Sequence, residues 1–139
     1  MTFDIASLGI QESTVLHLTH PANGEKLYVD KDGNMTLEPT AKPVTVTVGS
    51  TSSRAYRQAV NAMQNRSIKR GNKKMTPEAA REEGIELLTS ICLGSENLVY
   101  SGAPVKSDSD FRALLADDKM SWVKAQIDEA LGSVELFIA

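Results

Sequence analysis

The chain has 139 residues, of which 41% are hydrophobic, and it carries a formal net charge of -3. This length allows one domain or two small ones with a buried core, and the composition is typical of a soluble globular protein without a membrane span. The single cysteine, Cys92, excludes an intramolecular disulfide and a cysteine-based zinc site.

Charge is distributed unevenly along the chain. Between Glu38 and Glu78 there are eight basic residues and no acidic one, whereas from Glu78 onward twelve carboxylates face five basic groups. This segregation favours head-to-tail association or an oriented partner as much as it favours phosphate. The N-terminal sequence MTFDIASLGI lacks a basic start followed by an apolar stretch, so we expect a cytoplasmic protein without a secretory signal.

The first fifty residues have the pattern of β-strands. Apolar and polar residues alternate in TVLHLTH (14–20) and in PVTVTVGS (43–50), which predicts two half-buried strands. A short third strand is predicted near residues 27–29, between two turn signals. We therefore predict a small antiparallel β lobe over residues 1–50.

Two groups of residues in this lobe invite a metal-site interpretation. His17 and His20 lie three residues apart, but no further ligand follows at a recognised spacing, so we expect ordinary strand and turn histidines. The run Asp30–Asn34 resembles the start of a calcium loop, yet Met35 stands where an EF-hand needs glycine. We predict a hairpin turn there, and no metal or other cofactor.

An amphipathic helix with a basic outer face is predicted after Gly49, ending near Gly71. That face has three possible roles: a solvated surface, a protein-docking surface, or a nucleic-acid contact in which Arg and Lys bind phosphates. The net acidity and the 5% aromatic content favour the first two roles. The residues that we assign to the basic face and the linker after it are Arg54, Arg57, Arg66, Lys69, Arg70, Lys73 and Lys74.

Three further helices are predicted in the second half. Thr76-Pro77-Glu78 is a strong helix start, and Gly84 within that helix predicts the close approach of another element, with Gly94 as the stop. Ser107 is the predicted N-cap of the third helix, and Gly132 ends the fourth. The prediction is an α+β fold with a helical lobe of about four helices over residues 51–139.

No motif in the sequence indicates an enzyme. Phosphate-binding, dinucleotide-binding and nucleophile-elbow patterns are missing from it. The adjacent carboxylates Glu82-Glu83 and Asp117-Asp118 point in different directions on helices, which makes an acid/base pair unfavourable. We expect a protein that acts through binding.

Several stretches together resemble tail assembly chaperones of long-tailed bacteriophages. The shared features are the turn in HPANGE, the YR-x-A helix in SSRAYRQA with its basic linker, the G-x-P turn in SGAP, and the W-x-x-x-Q-I pattern in WVKAQI. The resemblance implies a non-catalytic factor that binds the tape measure protein, keeps that long helical polypeptide soluble and helps to recruit tail tube protein. It also implies action in the infected host cytoplasm and absence from the mature virion.

The helical lobe offers apolar stripes to such a client, and copies of the chain have opposed charges that favour self-association. Alternative hypotheses are a structural neck or tail-completion protein that remains in the particle, and a nucleic-acid-binding protein that uses helix 54–70. The predicted client-binding side chains have their own alternative role as the protein's core. They are Phe111, Leu115, Trp122, Val123, Ile127 and Phe137.

Overall fold

The computed structural model describes residues 4–71 and 73–137 and has the predicted α+β fold. The strands are β1 (Ser13–His17), β2 (Tyr28–Val29), β3 (Met35–Thr36), β4 (Lys42–Pro43), β5 (Thr45–Gly49), β6 (Cys92–Glu96), β7 (Val99–Tyr100) and β8 (Ala103–Pro104). The helices are α1 (Arg54–Arg70), α2 (Pro77–Ile91), α3 (Asp108–Ala116), α4 (Ser121–Leu131) and the single turn α5 (Val134–Phe137), with 3-10 turns at Ile5–Leu8 and Asp118–Met120.

The main sheet is antiparallel, with strand order β1-β5-β6. Val46 and Val48 on its inner face are fully buried, whereas Val15 on its outer face is 59% exposed. A bulge in β6 leaves Leu93 without a partner in β5, because Thr47 pairs with Gly94 and Val48 with Cys92. The sheet thus has one covered face and one open face.

Strand β6 crosses the predicted boundary between the lobes at residue 50. It follows α2 in the chain, yet it pairs with β5, and buried residues from both halves belong to one hydrophobic core. Gly94, which the sequence suggested as a helix stop, lies within β6, and α2 already ends at Ile91. Residues 1–50 and 51–139 therefore share a sheet and a core.

Three buried residues from different segments, joined by backbone hydrogen bonds, link the main sheet to the small sheet β3-β2-β4. Leu18 N donates to Val44 O, Val44 N donates to Leu27 O, and Leu27 N donates to Leu18 O, at 2.9 to 3.1 Å. Each residue is at most 7% exposed. The mutual hydrogen bonds satisfy polar groups that burial would otherwise leave unpaired.

Helix α4 packs against β5 of the main sheet, and α2 and α3 pack against α4 and against each other. Helices α2 and α3 begin where local capping predicts. Thr76 and Ser107 are the N-caps of α2 and α3, and Ser107 forms a capping box with Asp110. Gln126 ties α4 to the chain beyond β1, since its amide donates to Thr19 O at 2.8 Å and accepts from Thr19 N at 2.9 Å. No helix in the described ranges is long and apolar enough to cross a membrane.

Candidate protein-docking surface

Helix α1 is joined tightly to the main sheet at its first residue. Ser53 is its N-cap: the Ser53 hydroxyl accepts from Tyr56 N at 3.1 Å and donates to Ser50 O at 2.6 Å. Gly49 makes this approach possible, because a Cβ on Gly49 would lie 2.9 Å from Ser53 Oγ. The start of α1 is therefore fixed by close packing.

Beyond that point α1 lies on the outside of the molecule, against α2. None of the residues Arg54–Arg70 is fully buried. Tyr56, Val60 and Met63 on its apolar stripe are only half-buried, and Ile68, outside that stripe, is 77% exposed. Helices in proteins usually gain their stability by burying an apolar face, so α1 has apolar surface left for another contact.

The structure corrects the predicted basic face at two positions. Arg66 and Arg70 point toward α2, where Arg66 Nε lies 3.5 Å from Glu83 Oε1 and Arg70 Nη1 lies 3.8 Å from the same oxygen. Glu86 extends the cluster, at 3.7 Å from Arg66 and 3.5 Å from Arg112 of α3. These two arginines belong to an ion-pair cluster between helices and are not part of the outer face.

The remaining five predicted basic residues are exposed. Arg54, Arg57 and Lys69 lie on α1, and Lys73 and Lys74 lie in the connection to α2. Helix α1 contains no carboxylate, so its outer surface is positively charged.

An open groove of about 300 Å³ runs between α1 and α2. Its floor is apolar and half-buried, and the ion pair between Arg70 and Glu83 stands at its edge. The groove is lined by Val60, Met63, Gln64, Ser67, Arg70, Glu83 and Leu87.

Gly84 lies one helical turn before Leu87, which lines the groove. The sequence predicted that Gly84 lets another element of the fold approach closely, and that prediction is wrong: a Cβ at Gly84 would meet no heavy atom within 4 Å. The surface near Leu87 is therefore open to a backbone from outside the described fold.

Five of the six predicted client-binding residues belong to the protein's own core. These five are at most 2% exposed, and Trp122 is half-buried against the same core. The described fold therefore has no open groove at these side chains. An apolar helical stripe looks the same in sequence whether it faces the chain's own core or a partner. The five core residues are Phe111, Leu115, Val123, Ile127 and Phe137.

The histidines and the acidic turn have local structural contacts. His17 Nε2 lies 2.6 Å from Leu27 O, and its ring packs edge-on against Tyr28. Asp30 Oδ1 accepts hydrogen bonds from the backbone of Asp32 and of Asn34, which closes the turn. Within the described part of the chain, no group of three or more His, Cys, Asp or Glu side chains is arranged to hold a metal ion.

Two other ionisable groups have shifted pKa values that reflect packing. Burial, with a smaller effect from Asp108, raises the pKa of the Cys92 thiol to about 12, so the reactive thiolate is disfavoured at neutral pH. The Tyr100 hydroxyl donates to Asp117 Oδ2 at 2.6 Å, which lowers the pKa of Asp117 and raises that of Tyr100. This bond attaches the β7-β8 hairpin to the end of α3.

No protein-family model, curated protein or solved structure matches this chain. The amphipathic pattern predicted for α1 did not show that Val60 and Met63, or Leu87 of α2, would stay partly exposed. The sequence does contain a signal for this exposure, because the apolar stripe of α1 continues into the polar residues Arg66, Ser67 and Arg70.

Proposed function

We propose that this chain is a phage tail assembly chaperone that binds an amphipathic helix of the tape measure protein in the α1–α2 groove. The proposal joins two lines of support. The resemblance suggests the class of client, and the half-buried apolar floor at Val60, Met63 and Leu87 is the observation that carries the docking role. Recruitment of tail tube protein is part of the same proposal.

A helical client suits this groove for a physical reason. An amphipathic helix buries an apolar stripe when it lies in a groove between two helices, and its polar face stays in water. Here the floor offers apolar contacts, while Gln64, Ser67 and the pair of Arg70 and Glu83 offer hydrogen-bonding groups at the edges. Gly84, one turn before Leu87, has no heavy atom within 4 Å of a Cβ position, so it leaves α2 accessible beside the groove.

Co-expression with the tape measure protein of the same phage tests the proposal. We expect the tape measure protein to be soluble and to co-purify with the wild-type chain. Met63→Lys, which places a charge on the apolar floor, is expected to abolish co-purification. A tape measure protein that stays insoluble beside the wild-type chain would refute the proposed function.

Ala62→Lys provides the matched control. Ala62 neighbours Met63 in sequence but is exposed, so the same charge there lies outside the groove. We expect this variant to retain the tape measure protein. Thermal unfolding of both variants separates loss of binding from loss of folding, and equal loss of binding by two folded variants would count against the groove.

A structural neck or tail-completion protein is the alternative within the same phage setting. Mass spectrometry of purified virions distinguishes the two roles, because a chaperone is expected to leave the particle after assembly. Detection of the chain at a stoichiometric copy number would favour the structural role.

A nucleic-acid-binding role has weaker support in the geometry. Arg66 and Arg70 pair with carboxylates of α2, which leaves five of the seven predicted cations for phosphate. Electrostatic binding to nucleic acid falls steeply with salt, so a titration with DNA and RNA at low and high salt tests this role. We expect no measurable binding at low salt.

A further inference from the structure

Ile68 is an exposed apolar side chain surrounded by positive charge. It lies in the last turn of α1, does not line the α1–α2 groove, and is 77% exposed. Lys69 follows it directly, and Lys73 and Lys74 are exposed just beyond the helix. A surface that contacts this end of α1 needs an apolar pocket with a negative edge.

A pocket of that kind lies on a different part of the same chain. It is an open depression of about 280 Å³ between β1 and the helices α4 and α5. Leu16, Ala130 and Leu136 supply apolar lining, and Leu136 is 44% exposed. Glu129 lies at the pocket, next to the exposed Asp128, and gives this edge a negative charge.

We infer that a second copy of this chain inserts Ile68 into the depression between β1 and α4, with its basic helix end against Glu129 and Asp128. The charge complementarity selects a second copy as the partner: α1 contains five cations and no carboxylate, whereas exposed residues of α4 include two carboxylates. Ile68 is exposed, so it does not fill the pocket of its own chain.

The contact joins two different surfaces, which makes it heterologous. Each copy that uses its Ile68 still has a free pocket, and each copy that uses its pocket still has a free Ile68. Such contacts form rings when the rotation closes and extended filaments when it does not. This self-association goes beyond the proposed chaperone function and depends on Ile68, which does not line the α1–α2 groove.

Sedimentation velocity of the full chain over a wide concentration range tests the inference. We expect the average mass to rise with concentration at low salt and to fall when salt is added, since salt screens exposed charges. Ile68→Glu and Ile68→Ala are both expected to keep the monomer mass. A wild-type chain that stays monomeric at every concentration in low salt would overturn the inference.

Two further measurements identify the surfaces. Ile5 is 77% exposed, like Ile68, so Ile5→Glu is the matched control and is expected to associate as the wild type does. Lys69→Glu and Glu129→Lys are each expected to weaken association. A mixture of the two variants is expected to restore it, because one contact between them has the wild-type charges and the other has the charges swapped. Equal behaviour of the Ile5 and Ile68 variants, or a mixture that does not associate, contradicts the proposed contact.

Failure of this test is distinguishable from failure of the proposed function. The sedimentation experiment contains no client, and co-purification of the tape measure protein does not require Ile68 in the groove. If Ile68→Glu loses the tape measure protein while the wild-type chain remains monomeric, the end of α1 contacts the client and the self-association is refuted.

Discussion

Arg66 Nε lies 3.5 Å from Glu83 Oε1, and this ion pair joins the outermost helix, α1, to α2. Glu83 is the more enclosed partner, with 17% of its side chain exposed, and it also receives Arg70 at 3.8 Å. In this cluster Arg66 and Arg70 of α1 point toward α2. The nearby apolar side chains Val60, Met63 and Leu87 stay half-buried. Arg70 and Glu83 of this cluster line the α1–α2 groove.

Glu83→Gln removes the carboxylate that Arg66 and Arg70 share. We expect the free energy of unfolding to fall by about 0.5–1 kcal/mol, because partly exposed ion pairs contribute little individually. Hydrogen exchange is expected to accelerate in α1 and to change little in α4. Asp128→Asn, which neutralises an exposed carboxylate of α4, is the control. Uniform acceleration along the chain would show that the cluster does not hold α1 specifically.

Gly49→Ala tests the close packing at the start of α1. The new Cβ would lie 2.9 Å from Ser53 Oγ, so the serine must move and weaken the N-cap. Overpacking of this kind is expected to cost about 1–3 kcal/mol in denaturant unfolding. Gly94→Ala in β6 is the matched control, because a Cβ there meets nothing within 4 Å. Equal stability of the two variants would contradict the packing argument.

Gly84→Ala is expected to stabilise the chain. The position is helical with open space at the Cβ, so alanine improves helix propensity by roughly 0.5–1 kcal/mol. Gly102→Ala also has open space, but φ there is +81°, so alanine is expected to destabilise. Thermal unfolding measures the stabilisation expected for Gly84→Ala and the destabilisation expected for Gly102→Ala. A loss of stability in Gly84→Ala would mean that the space near Leu87 is occupied.

The capping box of α3 predicts a pH dependence. Asp110 Oδ2 accepts hydrogen bonds from Ser107 N and Lys106 N, which lower the pKa of Asp110 below its ordinary value of 3.8. The folded state therefore favours the carboxylate, and its contribution is present above pH 3.8 and is lost as pH falls through the lower folded pKa.

Asp110→Asn is accordingly expected to lower the unfolding temperature near neutral pH. The difference from wild type is expected to shrink in acid, below the ordinary pKa. Asp108→Asn, in the same helical turn but outside the capping box, is expected to have a smaller effect. A pH-independent difference for Asp110→Asn would show that charge at the cap does not matter.

Local signals predicted the helix starts well. Thr76 and Ser107 cap α2 and α3 through side-chain bonds to residues three positions later, and such contacts depend on nearby sequence alone. The strands β1 and β5 were predicted from period-two alternation for the same reason.

Contacts between distant segments were not predictable in this way. The inward turn of Arg66 depends on Glu83 of another helix, and β6 is a strand because β5 offers an edge beside it. Periodicity also placed Phe111 and Ile127 on apolar faces without showing what covers them. The assembled fold covers those faces with its own core and leaves the α1–α2 groove open.

Hydrogen exchange of the chain alone and in complex with the tape measure protein tests the central claim most directly. The proposed docking site predicts new protection in residues 54–70 and 77–91, on the two helices that border the groove. Protection confined to residues 108–131, with α1 and α2 unchanged, would place the client on the other helices and contradict it.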